Sequence, residues 1–366
     1  MTNVLLVTPD YPPMAGGIAT LLRSLADGAK RCRFEVLALE SGRPAAPFDP
    51  QGAPVIRAPS MRDHRASVAR LNAHALAHAW RRRPDVIVSG HVVAGPGAVA
   101  ARALIGVAVV QYVYGKELAQ RHRLARRILP RCDATIAVSR HAAATARRAG
   151  APGARLHVVH PGVDEPGVAA PDAGPRTCDI VTVARLEERY KGFDVMLRAL
   201  PLVIARVPAA RWVVVGDGAL RADIQETATA WGLADRVLLL GAVNDAERDR
   251  RLREAAVFAM PSRVPPHGGG EGFGIVYLEA GRHRTPVVAG GEGGALDAVV
   301  HGQTGTLVDP RDHVALADAL IELLTDDERA ARLGAAGEDR ARALSWASMI
   351  DQVEEIIVGV TRRGGR

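Results

Sequence analysis

The chain has 366 residues, of which 48% are hydrophobic and 24% charged, and these ordinary globular proportions exclude wholesale disorder and favour two domains over one. Lysine and arginine total 47 against 40 acidic residues, and the net charge of +7 suits anionic partners such as phosphorylated ligands or an acidic membrane surface. Aromatic residues make up only 4% and no basic, aromatic-studded motif is present, so we expect no nucleic-acid partner.

The cysteines and the apolar runs indicate a compartment. Cys32, Cys132 and Cys178 are far apart and form no Cys-x-x-Cys pair, which argues against both a disulfide scaffold and a thiolate metal site. No apolar run reaches the roughly 18 residues of a membrane span, and the N-terminus lacks the basic and long apolar regions of a signal peptide. We therefore expect a cytoplasmic protein.

Short β-rich segments alternate with Ala- and Arg-rich amphipathic stretches through the first half of the sequence. This alternation is typical of βαβ units and a mostly parallel sheet, and hence of an α/β fold. The predicted strands are VLLVTP (4–9), FEVLALE (34–40), PDVIVSG (84–90), AVVQYVYG (108–115), ATIAVS (134–139) and LHVVHPG (156–162).

A Pro-, Gly- and Ala-rich segment at residues 162–176 has neither helical nor strand periodicity and is predicted to be a linker. After it the alternation restarts, so the chain contains two successive α/β halves. Ligands bind at the carboxyl ends of strands in such sheets, and two facing halves would place a site in the cleft between them. The predicted strands are CDIVTVAR (178–185), WVVVGDG (212–218), VLLLGAV (237–243), VFAMPS (257–262), PVVAGG (286–291) and TGTLVDP (304–310).

Two glycines follow the first predicted strand, in the segment YPPMAGGIAT. Gly16 and Gly17 immediately precede a helical pattern, where they allow close backbone approach and where the free N–H groups of a helix start attract an anion. A turn-forming glycine pair is the alternative interpretation.

The first half contains a weak dinucleotide fingerprint after the strand that ends at Gly90. Gly95-x-Gly97-x-x-Ala100 is followed by Glu117 about 20 residues later, which is the spacing of a nucleotide-dependent oxidoreductase. Close packing of a helix on its strand explains the same small residues without a cofactor, and we prefer it.

Residues 121–131, RHRLARRILPR, combine five arginines with apolar residues at helical spacing. A basic amphipathic helix of this kind is able to lie on an anionic membrane, so peripheral contact with the inner face of the cell membrane is a hypothesis. An ordinary surface helix with an apolar inner face is the preferred alternative.

A polar loop follows the first strand of the second half and carries two basic residues, Arg185 and Lys191. A guanidinium and an ammonium that converge from one loop are suited to binding a diphosphate, because both stay cationic and arginine binds two oxygens at once. In so arginine-rich a chain, a solvated loop is the alternative.

Two acids, Glu271 and Glu279, flank a glycine-rich helix start in EGFGIVYLEAGR. A carboxylate accepts hydrogen bonds from sugar hydroxyls, so Glu271 is a candidate for a transferred sugar and Glu279 for a ribose. The amides of residues 272–274 would attract negative charge. The alternative is that Glu271 caps the helix and Glu279 faces solvent or pairs with Arg282.

Three motifs, which follow one another along the chain in the order that the family shows, resemble those of the retaining family 4 glycosyltransferases. EGFGIVYLEA with the following TPVVAGGEGGALDAVVHGQTGTLVDP resembles the family's Glu-x7-Glu block, ARLEERYKG its phosphate-binding segment, and YPPMAGGIAT its N-terminal glycine loop. The resemblance covers essentially the whole chain and is greatest to the actinobacterial phosphatidylinositol mannoside mannosyltransferases. It implies the GT-B fold, with two Rossmann-like doubly wound domains facing across a cleft.

The resemblance implies a role for each candidate residue. Arg185 and Lys191 would neutralise the donor diphosphate, Glu271 would contact the donor sugar, and Glu279 would bind the ribose, with electrostatic stabilisation of the departing diphosphate as the main catalytic effect. It also places Gly16, Gly17, Gly272, Phe273 and Gly274 at the donor.

Domain roles follow from the same resemblance. Residues 1–170 would bind the acceptor, residues 171–344 would bind the nucleotide-sugar donor, and residues 345–366 would form a helix that crosses back to the first domain. The implied activity is metal-independent transfer of a hexosyl group (mannose, glucose or N-acetylglucosamine) from a GDP- or UDP-sugar to a lipid-linked or soluble hydroxyl acceptor, in glycan or glycolipid biosynthesis.

The sequence departs from the family pattern at two positions. Tyr114 stands where members usually carry a histidine that positions the donor, and a phenol donates a hydrogen bond but is a poor base near neutral pH. Asp297 replaces the usual glutamate of the Gly-Gly-x-x-Glu element. Tyr114 and His91 are candidates for positioning donor or acceptor, and the tyrosine keeps a non-catalytic nucleotide-sugar or glycan-binding protein open as an alternative.

Metal ligands are not apparent in the sequence. No Asp-x-Asp motif occurs, and His74 and His78, four residues apart, lack a third ligand. We therefore expect no metal and no cofactor besides the nucleotide-sugar co-substrate.

Overall fold

The computed structural model describes residues 1–14, 16–40, 52–165 and 177–364. It consists of two compact units, the first formed by Met1–Gly162 together with Trp346–Arg366 and the second by Val163–Ser345. The predicted linker falls largely on residues 166–176, outside the described residues, and so does the predicted boundary between residues 170 and 171.

The first unit is built on a parallel sheet, seven-stranded within the described residues, whose strand order is β3-β2-β1-β4-β5-β6-β7. Its strands are β1 (Thr2–Thr8), β2 (Cys32–Leu39), β3 (Val55–Ala58), β4 (Val86–Ser89), β5 (Ala108–Val113), β6 (Ala134–Ala137) and β7 (Leu156–Val158). Its helices before the second unit are α1 (Gly17–Gly28), α2 (His64–Arg82), α3 (Gly95–Ile105), α4 (Lys116–Gln120), α5 (His122–Ile128) and α6 (Arg140–Arg148).

The second unit repeats the architecture with six parallel strands among the described residues, in the order β10-β9-β8-β11-β12-β13. These strands are β8 (Asp179–Val183), β9 (Arg211–Val215), β10 (Val237–Gly241), β11 (Val257–Met260), β12 (Val287–Gly290) and β13 (Thr306–Val308). Its helices are α7 (Phe193–Arg206), α8 (Arg221–Ala230), α9 (Asp245–Glu254), α10 (Ile275–Gly281), α11 (Ala295–Ala298), α12 (His313–Thr325) and α13 (Asp327–Ala343), after which α14 (Trp346–Gly364) returns to the first unit.

The apolar runs of the sequence become the central strands because a parallel sheet is covered on both faces, which buries the residues of its central strands. Val86 to Ser89 of β4 and Val257 to Met260 of β11 are buried throughout. Each predicted strand segment contains a strand, which confirms the α/β assignment. β3 was not predicted, since it has only four residues, at the sheet edge, and most of its side chains are half-exposed.

Strand order reverses direction at one point in each sheet, between β1 and β4 and between β8 and β11. Open α/β sheets bind their ligands outside the carboxyl ends of the strands at such a point. In the second unit, the loops that follow β8 and β11 contain Lys191 and Glu271. The topology therefore brings two distant segments of the sequence to one edge of the sheet.

The core of the second unit is centred on Trp212 of β9, which is completely buried. Its indole Nε1 donates to the hydroxyl of Thr182 at 2.9 Å, and this hydroxyl donates to the carbonyl of Ala259 at 2.6 Å. A satisfied polar link thus joins the three central strands β9, β8 and β11, which fixes the strand ends that carry the candidate site.

Close packing accounts for the glycines of the dinucleotide-like fingerprint. A Cβ on Gly95 would lie 2.8 Å from the side chain of Ile128, and a Cβ on Gly97 would lie 2.6 Å from the backbone carbonyl of Asn72. Both glycines are needed for α3 to approach α5 and α2. Nothing in this arrangement calls for a nicotinamide cofactor.

The arginine-rich segment 121–131 is short helix α5 followed by a 3-10 turn rather than one continuous helix. Ile128 and Leu129 are 3% and 0% exposed, so they belong to the core of the first unit, and Leu124 remains half-buried. Most of the apolar side of this segment is therefore already occupied. Among the described helices, none combines the length and the apolar character needed to cross a membrane.

A buried carboxylate anchors α14 to the first unit. Glu354 is 0% exposed and accepts the backbone N–H groups of Arg31 at 2.6 Å and of Cys32 at 2.7 Å, at the start of β2. The guanidinium of Arg31 also donates to the carbonyl of Asp351 at 2.6 Å. Burial and the adjacent Glu354 charge raise the pKa of the Cys32 thiol to about 12. Glu354 thus provides hydrogen-bond acceptors to a strand start more than 300 residues away in the sequence.

We expect Glu354→Ala to lower the free energy of unfolding by roughly 2–4 kcal/mol, because two buried N–H groups lose their acceptor. Thermal unfolding followed by circular dichroism measures the effect. Glu355→Ala is the matched control, since Glu355 is exposed on the same helix and should change stability by less than about 0.5 kcal/mol. Equal stability of the two variants would contradict the anchoring role of Glu354.

Candidate active site

The two central candidates of the sequence, Lys191 and Glu271, form an ion pair between the Lys191 ammonium and the Glu271 carboxylate. Their side chains are only 15% and 14% exposed, so each charge is largely withdrawn from water and is compensated by the other. Each side chain keeps a small exposed fraction at this edge of the sheet, and binding of an anionic, hydroxyl-bearing ligand by the pair stays a prediction.

Lys191 is positioned by contacts between the loops after β8 and β11. It ends a 3-10 turn, and the following Gly192 has a φ of 84°, with a virtual Cβ only 2.4 Å from the carbonyl oxygen of Pro261. The amide of Arg263 donates to the carbonyl of Tyr190 at 2.9 Å. Only glycine allows this approach, so the two loops are locked together at Lys191.

Tyr190 is a site residue that the sequence analysis missed. Its ring lies 5.4 Å from the Lys191 ammonium, within the range of a cation–π interaction. Burial, and then the nearby Glu271 charge, raise the pKa of its phenol, so the hydroxyl stays protonated and available as a donor. Its place directly before a predicted phosphate-binding lysine was the one sequence signal for it.

Arg185 differs from Lys191 in its surroundings. Its side chain is 63% exposed, and its nearest charged partner is Glu187 at 4.0 Å. The positive charge of Arg185 opposes the rise in the pKa of Tyr190, which places the guanidinium within electrostatic reach of that ring. Arg185 is therefore an exposed cation near the Lys191–Glu271 pair, and its role as half of a diphosphate clamp stays a prediction.

A glycine shelf, residues 272–274, connects Glu271 to helix α10. Gly294 donates its amide to the Glu271 carbonyl at 2.9 Å, and a Cβ on Gly294 would meet the Gly272 carbonyl at 2.1 Å. Gly274 has a φ of 89° and forms the N-cap of α10. Phe273 is 2% exposed, so its ring belongs to the core, and its donor contact stays a prediction for its backbone alone.

Glu279 lies on α10, 20% exposed, with the Arg248 guanidinium 3.8 Å from its carboxylate. Arg282, the partner considered in the sequence analysis, binds Asp249 at 3.4 Å and Asp164 at 3.5 Å instead. Burial raises the pKa of Glu279, and the charge of Arg248 opposes this rise. Glu279 therefore neither faces solvent nor pairs with Arg282.

Glu292 is a second residue that the sequence analysis did not single out. Its carboxylate accepts the Val264 amide at 2.6 Å and binds the guanidinium of Arg311. Burial acts to raise its pKa, but these hydrogen bonds hold the pKa below its usual range. Glu292 thereby fixes the start of the loop that leads from β11 to Glu271.

Asp297, the departure from the family pattern, is 2% exposed, and its carbonyl accepts from Arg340 at 2.7 Å.

The remaining candidates belong to the first unit. Gly16 has a φ of 148° and forms the N-cap of α1, whose first residue is Gly17. His91 follows β4, and its Nδ1 accepts the Val93 amide at 3.2 Å. These residues lie at the carboxyl ends of β1 and β4, as expected for strand-end ligand residues, and their roles stay predictions.

Tyr114, which stands in place of the family histidine, has internal partners. Its hydroxyl donates to the Gly90 carbonyl at 3.0 Å, and its amide donates to the carboxylate of Glu117 at 2.6 Å. Burial raises the pKa of Tyr114 far above its usual value and also raises the pKa of Glu117, which is 5% exposed. The phenol therefore ties β5 to the end of β4, and a ligand would have to compete with Gly90 for it.

In the described part of the chain, no group of three or more His, Cys, Asp or Glu side chains is placed to hold a metal ion. His78, one of the two histidines considered from the sequence, has its Nε2 2.7 Å from the carboxylate of Glu35. His78 thus has a protein partner of its own, and metal independence stays a prediction.

Comparisons with known families match the chain in two parts. The family described as "Glycosyltransferase Family 4" matches residues 15–165, and the family described as "Glycosyl transferases group 1" matches residues 174–340. The GDP-mannose-dependent alpha-(1-6)-phosphatidylinositol monomannoside mannosyltransferase of Mycolicibacterium smegmatis is 33% identical over 97% of this chain and 98% of its own length. The phosphatidyl-myo-inositol mannosyltransferase of Mycobacterium leprae is 34% identical over 51% of this chain and 48% of its own length.

Solved structures resemble the whole chain in fold. Anabaena Alr3699/HepE in complex with UDP and glucose has a TM-score of 0.81 at 20% identity, covering 98% of this chain and 100% of its own. Sucrose-phosphate synthase from Thermosynechococcus elongatus has a TM-score of 0.82 at 21% identity, covering 99% of both chains. These neighbours confirm the GT-B fold expected from the sequence.

Proposed function

Because the chain belongs to the family 4 glycosyltransferases, we propose that it transfers a hexosyl group from a nucleotide-diphosphate sugar to a hydroxyl acceptor with retention of anomeric configuration. The observation that supports this most directly is the Lys191–Glu271 ion pair beside the glycine shelf. It offers a cation for a diphosphate and a carboxylate for sugar hydroxyls within one contact distance. The chain is thus a hexosyltransferase, and we infer its donor and its acceptor from the relatives.

The donor that we propose is GDP-mannose. The curated relatives that align over nearly the full chain are named as GDP-mannose-dependent mannosyltransferases, at 32–33% identity. The HepE complexes, at about one-fifth identity, contain UDP or UDP-glucose and support the fold rather than the donor. A UDP-sugar is therefore the alternative that a donor panel must include.

In the proposed reaction the bond between the sugar anomeric carbon and the diphosphate oxygen breaks while the acceptor oxygen bonds to the same carbon. The acceptor proton passes to the departing diphosphate, so the charges balance. Lys191, with Arg185, stabilises the negative charge that develops on the leaving group, which is the term that most often dominates such catalysis. Glu271 holds hydroxyls of the donor sugar, and Glu279 those of the ribose.

The acceptor that we propose is a lipid-linked hydroxyl, bound by the first unit near Gly17, His91 and Tyr114. The Mycolicibacterium smegmatis relative is named for phosphatidylinositol monomannoside and the Mycobacterium leprae relative for phosphatidyl-myo-inositol, and the positive net charge of +7 suits an anionic membrane surface. Since Ile128 and Leu129 are buried, contact through residues 121–131 would be electrostatic rather than by insertion. Such contact predicts an affinity for anionic vesicles that falls with salt.

Lys191→Ala should lower the rate of GDP release from GDP-mannose, with phosphatidylinositol monomannoside vesicles as acceptor, by about 10²–10³-fold, because the leaving diphosphate loses its partly buried cation. A coupled assay for GDP measures this rate. Lys30→Ala is the matched control, since Lys30 is exposed in the first unit, and it should retain the wild-type rate. An unchanged rate in Lys191→Ala would exclude the proposed role of Lys191.

Glu271→Gln should lower the rate of transfer by about 10²-fold but leave GDP binding as tight as in the wild type or tighter. The reason is that glutamine removes the charge that competes with the diphosphate for Lys191. Isothermal titration with GDP and steady-state kinetics with GDP-mannose separate the two effects. The exposed Glu328 provides the control variant Glu328→Gln. If GDP affinity fell in parallel with the rate, this would argue against the proposal that Lys191 leaves Glu271 to bind the diphosphate.

Treatment with EDTA should leave the transfer rate within about twofold of the untreated enzyme, because Lys191 and Arg185 supply the positive charge that a metal would otherwise provide. The measurement is the initial rate before and after exhaustive dialysis. Loss of activity that Mg²⁺ or Mn²⁺ restores would overturn the proposal of metal independence.

A further inference from the structure

Arg248 stands at the centre of a charge cluster on the second unit. It lies on α9 and is 25% exposed, with Asp245 one helical turn before it at 3.0 Å and Asp249 beside it at 3.2 Å. The third carboxylate within 4 Å is Glu279, on the neighbouring helix α10, at 3.8 Å. Two aspartates of its own helix therefore hold the guanidinium while one of its nitrogens faces Glu279.

The contact with Glu279 is Coulombic rather than a hydrogen bond, because 3.8 Å exceeds hydrogen-bond distance. Within the residues that the structure describes, the Glu279 carboxylate has no hydrogen-bond donor, so both oxygens keep their lone pairs for a ligand. Lys191 and Glu271 differ in this respect, since they are in direct contact. Arg248 thus supplies charge to Glu279 without occupying its acceptor sites.

Charges of both signs face Glu279 from its neighbours. Burial and the anions Asp249 and Asp245 favour the protonated carboxyl, whereas the cations Arg248 and Arg282 favour the carboxylate, with Arg248 the stronger of the two. Arg282 divides its guanidinium between Asp249 and Asp164. Arg248 is therefore the cation that most strongly favours the ionised form of Glu279.

The other groups around α10 have partners of their own. On α13, Glu338 binds Arg284 at 3.1 Å and Arg340 donates to the carbonyl of Asp297 of α11. His283, after α10, lies 3.8 Å from Asp249, and burial together with the Arg282 charge lowers its pKa to about 4. The histidine is then neutral near pH 7. β12, with the sequence VVAG, contributes no charge.

A ribose presents two adjacent hydroxyls, and an ionised carboxylate accepts a hydrogen bond from each through its two oxygens. A protonated carboxyl carries an O–H donor on one oxygen, so it accepts fewer hydrogen bonds from the two hydroxyls. The charge state of Glu279 therefore decides how well it binds a diol.

We propose that Arg248 is a positioning residue for the donor ribose: its guanidinium, anchored by Asp245 and Asp249, holds Glu279 in the ionised form that accepts both ribose hydroxyls. This inference rests on the proposed function, in which Glu279 binds the ribose of a nucleotide sugar. Arg248 touches Glu279 and acts through it.

The test is the affinity of GDP, measured by isothermal titration at a series of pH values from mildly acidic to mildly alkaline, because burial raises the pKa of Glu279. The variants are Arg248→Gln, Glu279→Gln and the control Arg250→Gln. Arg250 lies on the same helix but pairs with Glu247 and Glu254. Each affinity is expressed relative to the wild type at the same pH, because the terminal phosphate of GDP itself titrates near pH 6.

Without Arg248 the pKa of Glu279 rises further, so a larger fraction of the carboxyl is protonated at low pH. Arg248→Gln should therefore bind GDP about tenfold more weakly than the wild type at the acidic end and recover to within about twofold at the alkaline end. Glu279→Gln should be weaker by about tenfold at every pH. Arg250→Gln should match the wild type throughout.

Two further measurements separate positioning from a structural effect. Arg248→Lys keeps the charge and should restore the wild-type pH profile, and Arg248→Gln in the Glu279→Gln background should cause no additional loss. A loss in Arg248→Gln that is the same at all pH values, or that persists undiminished in the double variant, would overturn the inference. If wild-type protein binds neither GDP nor UDP, the proposed function fails instead.

Discussion

The ion pair between Lys191 and Glu271 joins two loops that follow neighbouring strands of the second sheet, β8 and β11. Because the pair is partly buried, both side chains must be present in contact, since either charge alone would lose hydration without compensation. The close approach of Gly192 to Pro261 and of Gly294 to Gly272 both serve this requirement. The site therefore depends on backbone contacts between loops as much as on the two charged side chains.

Three carboxylates near this edge of the sheet are held in different ways. Glu271 is bound directly to a cation, Glu292 is held by Arg311 and the Val264 amide, and Glu279 has only a cation at a distance. Both oxygens of Glu292 are engaged in holding the loop after β11. Glu279 has no hydrogen-bond donor among the described residues, and Glu271 is bound to a single cation, so these two carboxylates are the ones that we propose for the ribose and the sugar.

The strands, and the position of the charged candidates after strand ends, were predictable because they depend on local sequence. Parallel strands buried on both faces appear as apolar runs, and Lys191 and Glu271 follow such runs at the strand ends. The pairing of Lys191 with Glu271 and the approach of Arg248 to Glu279 were not predictable. They join residues about 80 and 30 positions apart, and only the order of strands and helices in space decides them. Tyr114 shows the same limit, since its bond to Gly90 depends on β4 and β5 being neighbours.

The contact between Glu354 and β2 means that the first unit is completed only after the second unit has been synthesised. The carboxylate that satisfies the amides of Arg31 and Cys32 lies beyond the whole second unit in the chain. During synthesis on the ribosome, the described strands and helices of Val163–Ser345 are all made before α14, whereas the start of β2 must wait for its acceptor. The first unit is thus completed after the second has been synthesised, and premature termination before α14 would leave the amides of Arg31 and Cys32 without their carboxylate.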